Sequence, residues 1–162
     1  MDTPSVSPSP TAIDGWTVPR DDRADWHTKP RGLVTPGAEA IHGKSVKLIN
    51  DLEPVWGSGA GSTCWPLHRY ALSDSCLKTA DKAEQTARTA LSWITREPSN
   101  SFGTLRANAQ DIVNATASYR AHGCAKEPTG VAARNACHTA GYTIAQTYIT
   151  LREGFNAALE GR

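Results

Sequence analysis

Residues 130–159 read GVAARNACHTAGYTIAQTYITLREGFNAAL, and this stretch decides the fold. Taken in steps of three and four it gives Ala133, Cys137, Ala140, Ile144, Tyr148, Leu151, Phe155 and Leu159, all on one face of a helix. At about 1.5 Å per residue the spacing predicts one rod on the order of 45 Å long. Pro128 and Thr129 mark its start and Gly161 its end. From His138 to Leu151 it carries no formally charged side chain, and a second apolar line, Tyr142, Ala145 and Ile149, faces away from the first. A helix apolar on two sides needs cover on both. An N-terminal arm is the economical cover; a docking surface for a protein or an apolar ligand is the alternative.

Three further helices precede this rod. The first should start with Thr35 as cap and Pro36 at the first helical position, bury Ile41, Leu48 and Leu52, and end or kink at Pro54. Gly57 to Gly61 (GSGAG) lacks the lysine and the preceding strand of a phosphate-cradling loop and reads as a flexible link. The second runs from about Ser73 to Thr95 on a seam of Cys76, Ala80, Ala83, Ala87, Ala90 and Ile94, so thin that its neighbour must sit close. Glu84 and Arg88 pair at i,i+4 on its solvated face. The third runs from about Thr104 to His122, with Leu105, Ala109, Ile112, Thr116 and Tyr119 inward and Gly123 as stop. Asn114-Ala115-Thr116 matches a glycosylation triplet but lies in mid-helix, which removes its weight.

Two Phe and one Met leave an alanine-rich core that buries little area per helix. Covalent staples therefore matter. Cys64 and Cys76 are twelve apart and Cys124 and Cys137 thirteen, each pair joining a loop to the beginning of a helix. Four cysteines permit three connectivities; the two local bridges are the expected one. Each would close a loop worth about 3 kcal/mol in the chain-entropy model. Paired structural disulfides imply an oxidising compartment.

Residues 1–12 form a Ser/Pro tract with nothing to bury, expected to be a disordered leader or a spacer behind a lipid anchor. Met1 leads into Asp2-Thr3-Pro4-Ser5 with no apolar export segment, so secretion would require a signal already removed. Residues 13–34 scatter Ile13, Trp16, Val18, Trp26, Leu33 and Val34 among prolines and paired charges. They read as an extended arm laid into grooves of the helical body, with Trp16 and Trp26 alternatively anchoring a partner. The helical body occupies 35–162.

The net charge is +1 and no basic stripe is present, so nucleic acid is not an expected partner. No apolar run reaches the roughly eighteen residues of a membrane span. Nucleophilic catalysis finds no G-x-S-x-G elbow and, with bridged cysteines, no thiol. Ser73, Asp74 and Ser75 read as a helix cap, and the carboxylates Glu39, Asp51 and Asp111 do not pair by spacing. Metal binding is the sharpest alternative: were the thiols reduced, His122, Cys124, Cys137 and His138 could make a tetrahedral zinc site. Against it, adjacent Cys137 and His138 project about 100° apart on a helix. A haem on His42 or His138 is conceivable in a bundle. The expected reading assigns no cofactor and no catalytic residue.

The tail, CAKEPTGVAARNAC through TLREGFNAALEGR, resembles the C-terminal half of uncharacterised actinobacterial lipoproteins and secreted helical proteins. The resemblance covers about the last sixty residues. It rests on Cys124, Cys137 and the ending Leu151-Arg152-Glu153-Gly154-Phe155-Asn156-Ala157-Ala158-Leu159. It implies an envelope or extracellular place, a Ser/Pro spacer and a lipid-anchored precursor, and it supplies no activity. The expectation is an all-α protein, an antiparallel four-helix bundle with an extended N-terminal arm and two local disulfides. Its expected role is a non-enzymatic extracytoplasmic domain that binds a protein or cell-envelope component, presenting Trp16, Trp26, Tyr142 and Ile149. The alternatives are a small secreted hydrolase-like enzyme and a metal- or haem-binding module.

Overall fold

In the computed structural model, which describes residues 15–19 and 37–162, five α-helices stand where four were expected. They are α1 (Gly37–Trp56), α2 (Asp74–Ile94), α3 (Gly103–Ala121), α4 (Val131–Ala145) and α5 (Thr147–Leu159). Short 3₁₀ turns at Gly59–Gly61 and Cys124–Lys126 lie before α2 and α4, and no strand occurs among the described residues.

The extra helix comes from a break in the rod. Gln146 adopts φ −90°, ψ 5°, and its N–H is shared between the carbonyls of Tyr142 and Thr143, both at 3.2 Å. Two threonine hydroxyls bond carbonyls at this point. Thr147 donates to Ile144 O at 2.6 Å and Thr150 to Gln146 O at 3.1 Å. The same back-bonding occurs along α2, which stays one helix, so it accompanies the break rather than explaining it. The apolar stripe nevertheless continues through the break: Cys137, Ala140, Ile144, Tyr148, Leu151 and Phe155 are all buried.

The two halves lean on different neighbours, each through a glycine. A Cβ added at Gly141 of α4 would lie 2.5 Å from the carbonyl oxygen of Cys64. One added at Gly154 of α5 would lie 2.7 Å from Cα of Leu105 on α3. Both are closer than side-chain carbons approach other atoms, so the backbones meet at these points only because the side chains are absent.

Helix α3 packs against α2, α4 and α5, and α1 packs chiefly on α5. The alanine seam of α2 is buried along its whole length, from Cys76 to Ile94. Ser73 caps it as expected, its hydroxyl accepting the Ser75 N–H at 3.2 Å, with Asp74 in the first turn favoured by the helix dipole. Pro54 stands inside the last turn of α1, which ends two residues later. Gly57–Gly61 is a tight turn rather than a loose link: a Cβ at Gly57, whose φ is +79°, would fall 2.4 Å from the Gly61 carbonyl oxygen.

Candidate functional site

The two cysteine pairs are bonded as Cys64–Cys76 and Cys124–Cys137, and all four sulfurs belong to buried residues. Bridged pairs of this kind are the chemistry of an oxidising compartment. No described helix is long and apolar enough to cross a membrane. The bridges meet at one end of the molecule. The Cys64 carbonyl sits on Gly141, one helical turn beyond Cys137, and the Cys124–Lys126 turn packs on α2, with Ala125 and Lys126 facing Ser73 to Ser75 across a cleft.

Between Cys64 and the start of α2 the chain makes three successive i→i+3 turns. Trp65 N–H donates to Ser62 O, His68 N–H to Trp65 O and Ala71 N–H to His68 O, at 3.1, 2.8 and 2.9 Å. Side chains complete the frame. His68 Nδ1 accepts the Tyr70 N–H at 3.1 Å, and the Ser73 hydroxyl donates to Tyr70 O at 2.6 Å. From α3, the fully buried Tyr119 phenol donates to Ala71 O at 2.9 Å and reaches Ser73 O at 3.3 Å. Burial pushes the Tyr119 phenol well above its ordinary titration range, and the Asp74 charge adds to this against the Ser73 hydrogen bond. It stays a neutral donor.

On this fixed frame Leu67 is 49% exposed and Tyr70 40%. The Arg69 guanidinium lies over the Tyr70 ring at 4.6 Å, a cation–π contact. Next to them an open, shallow cleft of about 480 Å³ is bounded by Tyr70 to Ser75 on one side and Ala125 to Glu127 on the other.

Aromatic side chains link the loop to α4. Trp65 lies 5.6 Å from Tyr142 between ring centroids, and Tyr142 lies 6.2 Å from Trp16. Trp16 is only 4% exposed; it packs on the buried His138 and donates from Nε1 to Thr139 Oγ1 at 2.6 Å. The arm thus covers part of the second apolar line of α4. Of the other residues expected on a partner surface, Tyr142 and Ile149 are half-buried, and Trp26 lies outside the described residues.

The alternative metal set does not assemble. Cys124 and Cys137 bind each other, leaving no thiolate, and His138 is enclosed beneath Trp16. His122 is exposed at the end of α3 with Nδ1 2.9 Å from Ser118 O. Among the described residues no three of His, Cys, Asp and Glu converge as a metal site. Asp51 pairs with Lys47 on the surface of α1, Glu39 is exposed, and Asp111 is half-buried on α3.

One polar network went unread in the sequence. Arg120 of α3 reaches Asp81 at 2.6 Å and Glu84 at 3.2 Å on α2, and the Thr116 hydroxyl donates to Glu84 at 3.2 Å. Burial alone would raise the Glu84 carboxyl. The Arg120 hydrogen bond and charge, with Thr116 and Arg88, outweigh it and hold Glu84 below the usual carboxylate range. The Glu84–Arg88 pair expected from spacing is present at 3.6 Å, as one strand of this larger clamp. Compared with known protein families, curated proteins and solved structures, the chain matches none.

Proposed function

We propose that the chain is an extracytoplasmic, non-enzymatic helical domain that binds a protein or a cell-envelope component through its disulfide-braced end. The observation that carries this reading is the exposure of Leu67 and Tyr70 on a loop whose ends are bonded and whose backbone is tied to α3. Binding through a loop carries the cost of ordering its backbone, and a loop already braced by a disulfide and by Tyr119 has met that cost on folding. Tyr142, reached from the loop through Trp65, extends the same face onto α4. The two bridges support an oxidising address. Secretion, a lipid-anchored precursor and kinship of the tail with actinobacterial envelope proteins belong to the same proposal. So does an antiparallel four-rod bundle in which α4 and α5 together make the fourth rod; the packing of α3 on α2, α4 and α5 and of α1 on α5 supports it.

The test is co-sedimentation of purified protein with isolated cell-envelope fractions, comparing wild type with a Leu67→Asp, Tyr70→Asp variant. Both side chains lie outside the helices and the core and are substantially exposed, so the helical circular dichroism should be unchanged. Recovery of the variant should fall about tenfold or more, as expected for loss of two central anchors. Equal recovery of the two proteins would count against the reading.

A further inference from the structure

Away from the disulfide-braced end, α1 and α5 enclose a cleft of about 160 Å³ that shares no lining residue with the site above. Its apolar lining is Ile49, Phe155 and Val46, and its polar lining is His42, Ser45, Asn50, Arg152 and Asn156, the Ser45 hydroxyl being used on the His42 carbonyl. We infer that this cleft is a binding site for a small aromatic carboxylate of about the size of benzoate.

Volume sets the size of the ligand. A cavity of about 150 Å³ is known to hold one benzene ring. The guanidinium sets the ligand's polar end: Arg152 is the one formally charged side chain among the described lining residues, and although Glu53 balances its charge, its remaining N–H donors favour a carboxylate. The guanidinium is held by Glu53, which stands outside the lining and takes an Nη2 bond. A guanidinium carries five N–H donors, so it is fixed in place with donors remaining for a second carboxylate. His42 Nε2 lies 3.1 Å from Asn156 Oδ1, spanning the gap between the two helices. A ring seated on Ile49 and Phe155 with its carboxylate toward Arg152 satisfies both halves of the lining. Pockets that pair an apolar floor with a few convergent polar groups bind ligands of that divided character.

Titration with benzoate, followed by amide chemical shifts in the intact chain, tests the site. Saturable shifts should appear in residues 42–50 and 152–156. Acetate, which has the charge without the ring, and benzyl alcohol, which has the ring without the charge, should each bind at least about tenfold more weakly. Arg152→Gln should weaken benzoate about tenfold and leave benzyl alcohol unchanged. Val46 is already exposed at the mouth, so Val46→Trp should fold and abolish the benzoate shifts. The inference is overturned if benzoate gives no saturable shift, if acetate matches it, if the shifts lie elsewhere, or if folded Val46→Trp binds undiminished.

Discussion

The carbonyl oxygen of Cys64 stands 2.5 Å from where a Cβ on Gly141 would be, too close for any side chain there. That carbonyl cannot retreat freely, since Cys64 is bonded to Cys76 and is fully buried. The contact ties the first disulfide to the helix that carries the second.

Gly141→Ala should therefore destabilise the protein. Alanine in a helix interior normally gains about 0.5–1 kcal/mol over glycine, but overpacking against fixed backbone costs about 1–3 kcal/mol. Gly43, inside α1 with nothing within 4 Å of an added Cβ, is the control. Gly43→Ala should raise stability by about 0.5–1 kcal/mol. Urea denaturation of the two variants should give midpoint shifts of opposite sign.

Tyr119 acts on the same loop from the opposite side. Tyr119→Phe keeps the ring but deletes the only part that reaches the Ala71 and Ser73 carbonyls. Leaving a buried acceptor without its donor costs about 1–3 kcal/mol. Amide exchange should quicken in residues 65–75 before it does in the α2 seam, which a uniform loss of stability would not produce.

What was legible in the sequence is whatever one element states by itself. Alanines at helical spacing are visible without knowing their neighbour, so the α2 seam was readable down to single residues. The Ser73 cap and the two local cysteine pairs were likewise readable, because their partners lie close in sequence. The Gln146 break was hidden because the apolar period runs through it undisturbed; it shows only in the backbone angles of Gln146 and the sharing of its N–H. The reason for Gly141 lies seventy-seven residues earlier, at Cys64, and no local pattern states it. Arg120 reads as one more solvated charge until α3 is laid on α2. At the candidate site, the sequence reads Trp16 as part of an arm laid on the helical body, or else as a partner anchor; the packed structure puts it on His138 and Tyr142 of α4.

Both bridges should resist reduction in the native state. Reduction requires a thiolate to approach a sulfur in line, and none of the four residues exposes more than 1% of its surface. Reductant alone should release thiols far more slowly than reductant with urea. Replacing Cys64 and Cys76 together by Ala should cost about 3 kcal/mol, and replacing Cys124 and Cys137 about the same, because the loops closed are nearly equal. Thiol titration and urea midpoints measure the two effects.

Acid should act through the α2–α3 clamp. Glu84 is held below the usual carboxylate range in the fold, so its contribution is present above the unfolded carboxylate pKa. It is lost as pH falls through the folded value. Glu84→Gln should cost about 1 kcal/mol or less at neutral pH, since the pair is partly solvated. The variant should also show a shallower loss of stability on acidification. Urea midpoints compared at neutral and acidic pH read that slope.

Alkali acts with the opposite sign. Burial pushes the Tyr148 phenol up to about 12, with a smaller upward contribution from the Glu53 charge and an opposing one from its hydrogen bond with Thr86. A neutral phenol is favoured in the fold, so this stabilisation is complete below the unfolded value near 10 and falls away as pH rises through 12. Each such group contributes a slope of about 1.4 kcal/mol per pH unit between those limits. Tyr148→Phe keeps the ring in the core between α5 and its neighbours and removes the titrating oxygen. Its stability should therefore depend less on pH above 10 than the wild type's, in urea titrations followed by circular dichroism. Parallel alkaline limbs in the two proteins would place the sensitivity elsewhere, with Tyr119, raised by the same desolvation, the next phenol to replace.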